Sequence, residues 1–482
     1  MARRAGPDIA PEEFRRLGHE LVDRIATHME RMPGGRVKPD ETGPEVRSAL
    51  KAERGLPDRG ADPGELLESA ANLLFEHSLF NGHPRFLGYI TSSPAPIGAL
   101  GDFLASAVNQ NCGSWTLSPM ATEIEAQTVR WIAELIGFAG SGLLVSGGNM
   151  ANFVCFLAAR TAKAGPAIRK AGIGGGSRLV LYASSETHTW VQKAADLFGF
   201  GTDAIRWIPV DECQKLRTAE LRRRIESDRA NGYRPFLVVG TAGSVSTGAV
   251  DPLYEIAAIC REHDLWFHVD GAYGAFAAAI PGAPDDLRGL ALADSVAVDP
   301  HKWLYAPVEA GCALVTRAED LRNAFSYHPP YYRFGEEALN FVDYGLQNSR
   351  GFRALKVWLA LQQLGRSGYV ESMAEDMRLS RKLFDLMRAH PEFEALTQGL
   401  SIATFRYVPR ELRSKSGEPE TEAVLNRLNE ELLARLEKSG RAFLSNAVIN
   451  GKFAMRACIV NFRTSDEDID ALPEIIASLG RA

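Results

Sequence analysis

The sequence contains few of the features that mark a secreted, membrane-spanning or metal-binding protein. Only six of its 482 residues are cysteine, and none lies in a CxxC pair or at zinc-ligand spacing from a histidine. None of the ten histidines belongs to an HExxH-type motif, so we expect no catalytic metal. No window reaches the roughly 18 uninterrupted apolar residues of a membrane span, and no apolar stretch follows the charged start MARRAGPDIAPEEF. These absences predict a cytoplasmic protein with reduced cysteines.

An excess of charge of one sign is also lacking. The net charge is −6 from 54 basic and 60 acidic side chains, and no polybasic block occurs. A nucleic-acid or anionic-membrane partner is therefore not expected, and a small-molecule substrate is favoured. The 45% hydrophobic content at this length predicts two or three packed units.

The first segment with clear periodicity follows Pro11. Its apolar residues recur at helical spacing and predict an amphipathic helix with one apolar face: Phe14, Leu17, Leu21, Ile25 and Met29. The following stretch, residues 33–64, is rich in proline, glycine and charge, which predicts that the helix is held away from the main core. We expect its apolar face to pack on another subunit.

From about residue 140, short apolar runs alternate with segments of helix length. The runs predict strands of a mostly parallel sheet built from crossover units: 143–145, 179–182, 236–239, 266–269 and 295–298. The glycine cluster 172–176 precedes its strand instead of following it, which favours a turn over a dinucleotide-binding loop. Beyond Arg350 we expect a helix over 352–364, further helices, and β-like runs at 400–407 and 457–463, which together predict a smaller α+β domain.

Charged side chains follow two of the predicted buried strands. Asp270 comes directly after the run 266–269, and Lys302 follows 295–298 within Asp-Pro-His-Lys-Trp. Open α/β sheets bind ligands at the carboxyl ends of their strands. Pyridoxal phosphate requires a lysine amine to form an imine and an anion beside its pyridine nitrogen. The two residues together predict a pyridoxal-phosphate site, although either alone would more often be solvated or paired.

Two further segments fit the same cofactor. Residues 146–152, Ser-Gly-Gly-Asn-Met-Ala-Asn, follow a predicted strand and open a helix whose N–H groups favour a phosphate; a simple capped turn is the alternative. His188 follows another strand, where its flat ring could lie against the pyridine; the alternative is a structural histidine near the core.

These segments belong to a longer series that occurs in order along nearly the whole chain. The series resembles the group II pyridoxal-dependent decarboxylases, whose best-known branch is aromatic-L-amino-acid decarboxylase. The motifs that carry the resemblance are His83-Pro84-Arg85-Phe86, 118–123, 146–152, the His188 segment, His268-Val269-Asp270, 299–304 and 350–356.

The resemblance implies an α/β fold like that of aspartate aminotransferase (fold type I) and a homodimer with its active site at the subunit interface. It divides the chain into an N-terminal helical dimerisation segment (1–80), a large cofactor-binding domain (81–365) and a small C-terminal domain (366–482). It also implies that Lys302 holds the cofactor, that Asp270 pairs with the pyridinium nitrogen and that His188 stacks on the ring. The other implied cofactor contacts are Ala272, Gly148, Asn149, Ser244 and His301.

Residues 325–332 resemble the family's mobile catalytic loop. In that loop a tyrosine follows the proline by two positions, so the resemblance implies that Tyr331 donates a proton to the substrate α-carbon, with the adjacent Tyr332 as the alternative register. The implied substrate contacts are Tyr89, Ser92 and Trp115. Asn149 departs from the animal aromatic enzymes, which commonly have serine or threonine there.

The resemblance therefore implies a carboxy-lyase that converts an L-amino acid, with aromatic side chains the leading option, to an amine and carbon dioxide. Open alternatives are a glutamate- or diaminobutyrate-type decarboxylase, an aldehyde synthase in which oxygen reacts with the same intermediate, and an aminotransferase. A binding protein that keeps the fold without the chemistry is disfavoured because Lys302, Asp270 and His188 occur together.

Overall fold

The computed structural model describes residues 8–174, 178–328 and 338–481, which contain eleven β-strands and fifteen α-helices. The strands are β1 (Ser141–Val145), β2 (Leu179–Ser184), β3 (Ile205–Ile208), β4 (Arg234–Thr241), β5 (Trp266–Asp270), β6 (Ser295–Val298), β7 (Gly311–Val315), β8 (Phe393–Gly399), β9 (Ile402–Tyr407), β10 (Ser445–Ile449) and β11 (Lys452–Cys458).

Along the chain, helices precede, separate and follow these strands. They are α1 (Pro11–Arg31), α2 (Gly43–Leu50), α3 (Pro63–His77), α4 (Pro96–Val108), α5 (Pro119–Ile136), α6 (Gly148–Ala164), α7 (Ile168–Ala171), α8 (Trp190–Leu197), α9 (Thr218–Ala230), α10 (Leu253–Glu262), α11 (Pro300–Trp303), α12 (Ala318–Phe325), α13 (Ala354–Ala389), α14 (Pro419–Ser439) and α15 (Asp466–Arg481).

The larger sheet has seven strands in the order β1-β7-β6-β5-β4-β2-β3. Only β7 runs antiparallel to its neighbours, so the other six strands point the same way and their carboxyl ends meet at one edge. Crossover helices bury both faces, as a mostly parallel sheet requires. Val180 and Tyr182 of β2 pack with residues of α5 and α10, whereas Leu179, Leu181 and Ala183 pack with residues of α6 and α8.

The smaller sheet is antiparallel, with strand order β10-β11-β9-β8. It packs its inner face against the second half of α13 and against α14 and α15, and the apolar cluster there is separate from that of the larger sheet. Helix α13 joins the two units. Gly365 has a left-handed φ of 67° within it, which kinks the helix where the predicted segment 352–364 ends.

The β-like run predicted at 457–463 is wrong in its bounds, because the strand ends at Cys458. An Asn450-Gly451 turn with φ of 51° and 78° joins β10 and β11 into a hairpin, and Asn-Gly is a strong signal for such turns. The run predicted at 400–407 begins two residues too early, since Leu400 has φ of 46° in the turn before β9.

The N-terminal helix is present as α1, and only Leu17 on it is buried. The segment that follows α1 is hydrogen-bonded to the C-terminal unit. The Val37 N–H donates to the Gly440 carbonyl at 2.9 Å, and Arg36 donates to the Lys438 carbonyl at 2.7 Å. Among the described helices, none is both long and apolar enough to cross a bilayer.

Candidate active site

A cavity of about 370 Å³ opens at the carboxyl edge of the larger sheet. The segments that follow β1, β2, β5 and β6 all contribute side chains or backbone to its wall, because these strands end at the same edge. Seven of the predicted residues line it: Lys302, Asp270, His188, Ala272, Gly148, Asn149 and His301. The folding of the sheet thus brings these seven residues, spread over positions 148–302, to one place.

Lys302 lies on the short helix α11, just beyond the end of β6. Its amine Nζ is 3.1 Å from Asp299 Oδ2, and its backbone N–H donates to the Asp299 carbonyl at 2.9 Å. The lysine side chain is 20% exposed and the aspartate side chain 3%. The amine is therefore held at the cavity wall by a nearly buried carboxylate while keeping one side open to the cavity.

Asp270 is the last residue of β5, and its carboxylate is buried. Oδ2 accepts a hydrogen bond from the Trp190 indole N–H at 2.7 Å, and Oδ1 accepts a longer one from the Ala272 N–H at 3.2 Å. Two donors from different elements fix the plane of the carboxylate. Its acceptor capacity is not exhausted, since ionised oxygens accept several hydrogen bonds.

His188 lies at the cavity wall two residues before α8. The Trp190 backbone N–H donates to Nδ1 at 3.3 Å, which assigns the ring proton to Nε2. Partial desolvation by the surrounding protein lowers the pKa of His188; the Asp270 charge opposes this and the Lys302 charge adds to it. The ring is thus favoured in its neutral form.

The turn between β1 and α6 provides a cradle that only glycine permits. Gly147 has a φ of 114°, and a Cβ on Gly148 would lie 2.6 Å from Asp299 Oδ2. On the opposite side, a Cβ on Gly311 would lie 2.5 Å from the Gly147 backbone. The 17-residue helix α6 begins at Gly148 and directs its first N–H groups toward the cavity, an arrangement that favours a phosphate.

Pyridoxal phosphate fits this set of donors and acceptors. The cavity offers an amine, a fixed carboxylate and an anion cradle, which match the aldehyde, the ring nitrogen and the phosphate of the cofactor. Two buried polar atoms near these groups, Asp299 Oδ1 and Thr241 Oγ1, have no hydrogen-bond partner within the described chain. Such atoms are costly unless a ligand or water satisfies them.

Four predicted contacts do not line the cavity of the single chain. The Ser244 hydroxyl bonds Thr247 Oγ1 at 2.9 Å, although the neighbouring Gly243 and Val245 do line the wall. The Ser92 hydroxyl donates to the His301 carbonyl at 2.8 Å, and the Trp115 indole donates to Glu123 at 2.9 Å. Tyr89 is 60% exposed. The predicted Tyr331, with its neighbour Tyr332, lies outside the described residues.

Sequence reasoning assigned no role to several residues that line the cavity, namely Asp299, Glu186, Asn152, Thr241 and Tyr273. Asp299 could have been found, because it follows β6 as directly as Asp270 ends β5. Asn152 contacts the strand that carries Asp270, since its Oδ1 lies 2.7 Å from Nε2 of His268 on β5. Burial lowers the pKa of His268 to about 4. No described cluster of three histidine, cysteine or carboxylate side chains has the arrangement of a metal site.

Comparison with known proteins agrees with this chemistry. The conserved domain of pyridoxal-dependent decarboxylases matches residues 46–408. An aromatic-L-amino-acid decarboxylase of Bacillus atrophaeus is 34% identical over 468 residues, which cover 96% of this chain and 94% of the relative. An acidic amino acid decarboxylase of Homo sapiens is 30% identical over 486 residues, covering 99% of this chain and 92% of the relative.

Solved structures give the same result for the fold. The crystal structure of Rhodiola rosea 4-hydroxyphenylacetaldehyde synthase aligns with a TM-score of 0.86 at 26% identity, covering 98% of this chain and 99% of that one. The predicted fold class, a mostly parallel sheet with a smaller α+β unit, is confirmed. The domain match and the shared length over both sequence relatives establish that this chain belongs to the pyridoxal-dependent decarboxylase family and is an amino acid carboxy-lyase.

Proposed function

We propose that this enzyme decarboxylates an aromatic L-amino acid to its amine and carbon dioxide, with Lys302 as the residue that holds pyridoxal phosphate. The observation that carries the assignment of Lys302 is its position: its amine faces the same cavity as the fixed Asp270 carboxylate and the glycine cradle. When bound, the cofactor supplies an electron-accepting ring that takes up the electron pair of the bond to the departing carboxylate.

Asp270 holds a proton on the ring nitrogen in this proposal. A carboxylate suits the task because its charge favours the protonated ring. The Trp190 N–H, at 2.7 Å from Oδ2, keeps the carboxylate from turning away. His188 offers a flat neutral ring for stacking, since its Nδ1 already accepts the Trp190 backbone N–H. Ala272 supplies a small side chain for the other face.

The phosphate is assigned to the cradle at the start of α6. The N–H groups of Gly148 and Asn149 are placed there by the left-handed Gly147. His301 lies beside the cradle, with its Cε1 3.4 Å from the position of a Cβ on Gly147. Ser244 completes the set through the segment that includes Gly243 and Val245 of the wall.

The charges of the cavity support an aromatic over an acidic substrate. Among the described lining residues, three are carboxylates (Glu186, Asp270 and Asp299), Lys302 is the one lysine, and none is arginine. An acidic substrate side chain would need a cation to offset the cost of desolvating its charge. An aromatic side chain needs no such partner. Tyr89, Ser92 and Trp115 are the proposed substrate contacts.

Tyr331 is the proposed donor of the proton to the substrate α-carbon after the carboxylate departs. A phenol in a closed, water-poor site suits this role as a general acid. The residue also separates amine formation from the alternative aldehyde synthase reaction, in which oxygen competes with the proton.

We further propose a cytoplasmic homodimer in which residues 1–80 embrace the second subunit, 81–365 bind the cofactor and 366–482 form the small domain. The support for dimerisation is a group of exposed apolar side chains on α1, α3 and α4: Phe14, Ile25, Leu66, Leu74, Leu100, Phe103, Leu104 and Val108. Phe14 of α1 stacks on Phe103 of α4 with ring centroids 6.2 Å apart, which joins two of these helices into one surface. All six cysteines are free, and five are buried, which suits a reducing compartment.

A competition assay tests the substrate class. Purified enzyme with pyridoxal phosphate is incubated with an equimolar mixture of aromatic, acidic and diamino amino acids, and amine, aldehyde, carbon dioxide and peroxide are measured. Aromatic amines should dominate. Glu186→Gln is the matched variant, since it removes one cavity charge at nearly constant shape and should raise the share of acidic substrate used. Preferential consumption of glutamate or diaminobutyrate by the unmodified enzyme would overturn the aromatic assignment.

A further inference from the structure

The short helix that carries Lys302 has a second face, which points into the core. Trp303 and Tyr305 are buried there, and both donate hydrogen bonds to the same oxygen, Oδ2 of Asp376 on α13. The indole N–H lies at 2.8 Å and the phenol O–H at 2.7 Å, and the partners are 73 and 71 residues apart in the chain. Asp376 is 2% exposed.

The carboxylate holds a turn that would otherwise be unfavourable. Tyr305 has a φ of 53°, a left-handed conformation that an aromatic residue adopts only when its surroundings impose it. The turn brings the Ala306 N–H to the Pro300 carbonyl at 3.2 Å, and the Tyr305 carbonyl accepts the Ala95 N–H at 2.8 Å. The direction of the chain immediately after Lys302 is thus set by Tyr305.

The buried cluster of Trp303, Tyr305 and Asp376 extends to the cavity wall through Tyr273. Tyr273, which lines the cavity, stacks on Trp303 with ring centroids 4.9 Å apart. Its hydroxyl lies 2.5 Å from Ser401 Oγ in the turn before β9. Helix α13 makes a further contact through the Tyr369 hydroxyl, which donates to the Leu304 carbonyl at 3.0 Å. The back of the Lys302 turn is therefore bonded to the helix that joins the two units.

We propose that Asp376 is a positioning residue: by holding Trp303 and Tyr305 from behind, it fixes the helix that aims the Lys302 amine into the cavity. The inference rests on the proposed role of Lys302. Asp376 does not line the cavity, and its side-chain partners Trp303 and Tyr305 are buried.

Asp376 is also the group in this cluster that titrates near neutrality. Burial raises its pKa to about 7, while hydrogen bonds from Tyr305, Trp303 and the Asn461 backbone lower it and the Glu375 charge raises it. Burial also raises the pKa of Tyr305 far above its usual value and that of Cys458 to about 11, so both stay neutral below pH 9. Because burial disfavours the charged form, the folded chain favours protonated Asp376 below pH 7, and ionisation above pH 7 leaves a buried charge that the Trp303 and Tyr305 donors must stabilise.

Asp376→Asn in the full-length, cofactor-loaded enzyme tests the proposal. At about pH 8.5, where Asp376 is ionised, we expect kcat to fall by about 3- to 10-fold with little change in KM, because an amide oxygen accepts the two hydrogen bonds more weakly than a carboxylate and a small displacement of a reacting group is costly. We also expect the pH midpoint of the visible absorption of the bound cofactor to move by about half a unit, since the environment of the Lys302 nitrogen changes. Asp228→Asn is the control, as Asp228 is a buried carboxylate that does not line the cavity and accepts hydrogen bonds from the Tyr182 hydroxyl at 3.0 Å and from Arg206 Nε at 3.1 Å.

Tyr305→Phe is the second variant and decides the matter if Asp376→Asn does not fold. It removes one donor and should shift kcat and the absorption midpoint in the same direction by a smaller amount. A wild-type kcat and an unmoved midpoint in the folded variant would overturn the positioning role. Borohydride labelling of Lys302 in the unmodified enzyme is scored separately, so a failure of the proposed cofactor lysine is distinguishable from a failure of this inference.

Discussion

The two faces of the Lys302 turn differ in kind. The front face, toward the cavity, holds polar groups that a ligand can reach: the Lys302 amine, the Asp270 carboxylate and the backbone N–H groups of the helix start at Gly148. The back face holds Trp303, Tyr305 and Asp376, which are buried and bonded to each other. The front is arranged for chemistry on a ligand and the back for keeping one geometry.

The difference predicts two classes of variant. Changes at the front should remove chemistry or cofactor binding while the chain stays folded, because the Lys302 and Asp270 side chains contact the core through only one or two hydrogen bonds each. Changes at the back should act on chemistry only through the placement of Lys302 and should also alter the free energy of unfolding. Activity, absorption and stability measured together therefore separate the two faces.

The largest effect is expected from Lys302→Ala at the front. Turnover should fall by about 10³-fold or more, and the visible absorption of the bound cofactor should disappear, because the amine is the proposed covalent partner. Circular dichroism and gel filtration check that the protein stays folded and keeps its oligomeric state. Normal activity in this variant would remove Lys302 from the site.

The next effect in size is expected from Asp270→Asn. A neutral amide no longer favours the protonated ring, so kcat should fall by about 10²- to 10³-fold and cofactor affinity should weaken. The amide oxygen can keep the Trp190 hydrogen bond, so the variant removes the charge and the longer Ala272 contact, which the amide nitrogen cannot accept. Steady-state kinetics at saturating cofactor measure it, and near wild-type rates would mean that another residue holds the ring nitrogen.

Tyr331→Phe should change the product more than the rate. If the phenol delivers the proton, its removal leaves the substrate α-carbon unprotonated for longer after the carboxylate departs. Oxygen can then react there instead, so aldehyde, ammonia and peroxide should rise at the expense of amine. Tyr332→Phe is the matched control and should still give mainly amine. Product analysis under air decides between the two registers, and diversion only in Tyr332→Phe would contradict the assignment.

The smallest effect is expected at the back face, in the pH dependence of stability. Because burial raises the pKa of Asp376 to about 7 in the folded chain, its contribution to stability is present at low pH and is lost as pH rises toward 7. Asp376→Asn cannot ionise, so its stability relative to the unmodified enzyme should increase between pH 5 and 8. Urea unfolding at several pH values measures the difference, and a constant difference across that range would show that Asp376 does not titrate there.

The front face could largely be predicted from the sequence, and the back face could not. Asp270 and Lys302 follow buried strands, so the rule that parallel strands end together places them at one edge. Asp376 meets Trp303 and Tyr305 across more than 70 residues of chain, and no local pattern in α13 marks that contact. Only the packing of the helix against the sheet reveals it.

The strands, too, divide into those that the sequence predicts and those that it does not. The buried runs of β2, β4, β5 and β6 were identified because continuous apolar segments between helices are typical of parallel strands. Strand β3 was missed because it is four residues long and two of them, Arg206 and Trp207, are not buried. Strand β10 forms no continuous apolar run because its residues alternate between buried and exposed, and the predicted run 457–463 covers only the end of β11.

The most direct test of the account is to locate the cofactor on the chain. The loaded enzyme is reduced with borohydride, digested and analysed by mass spectrometry. We expect loss of the visible absorption band and a stable phosphopyridoxyl label on the peptide that contains Lys302. A label on any other lysine, or a loaded enzyme that decarboxylates amino acids without any borohydride-sensitive band, would contradict it.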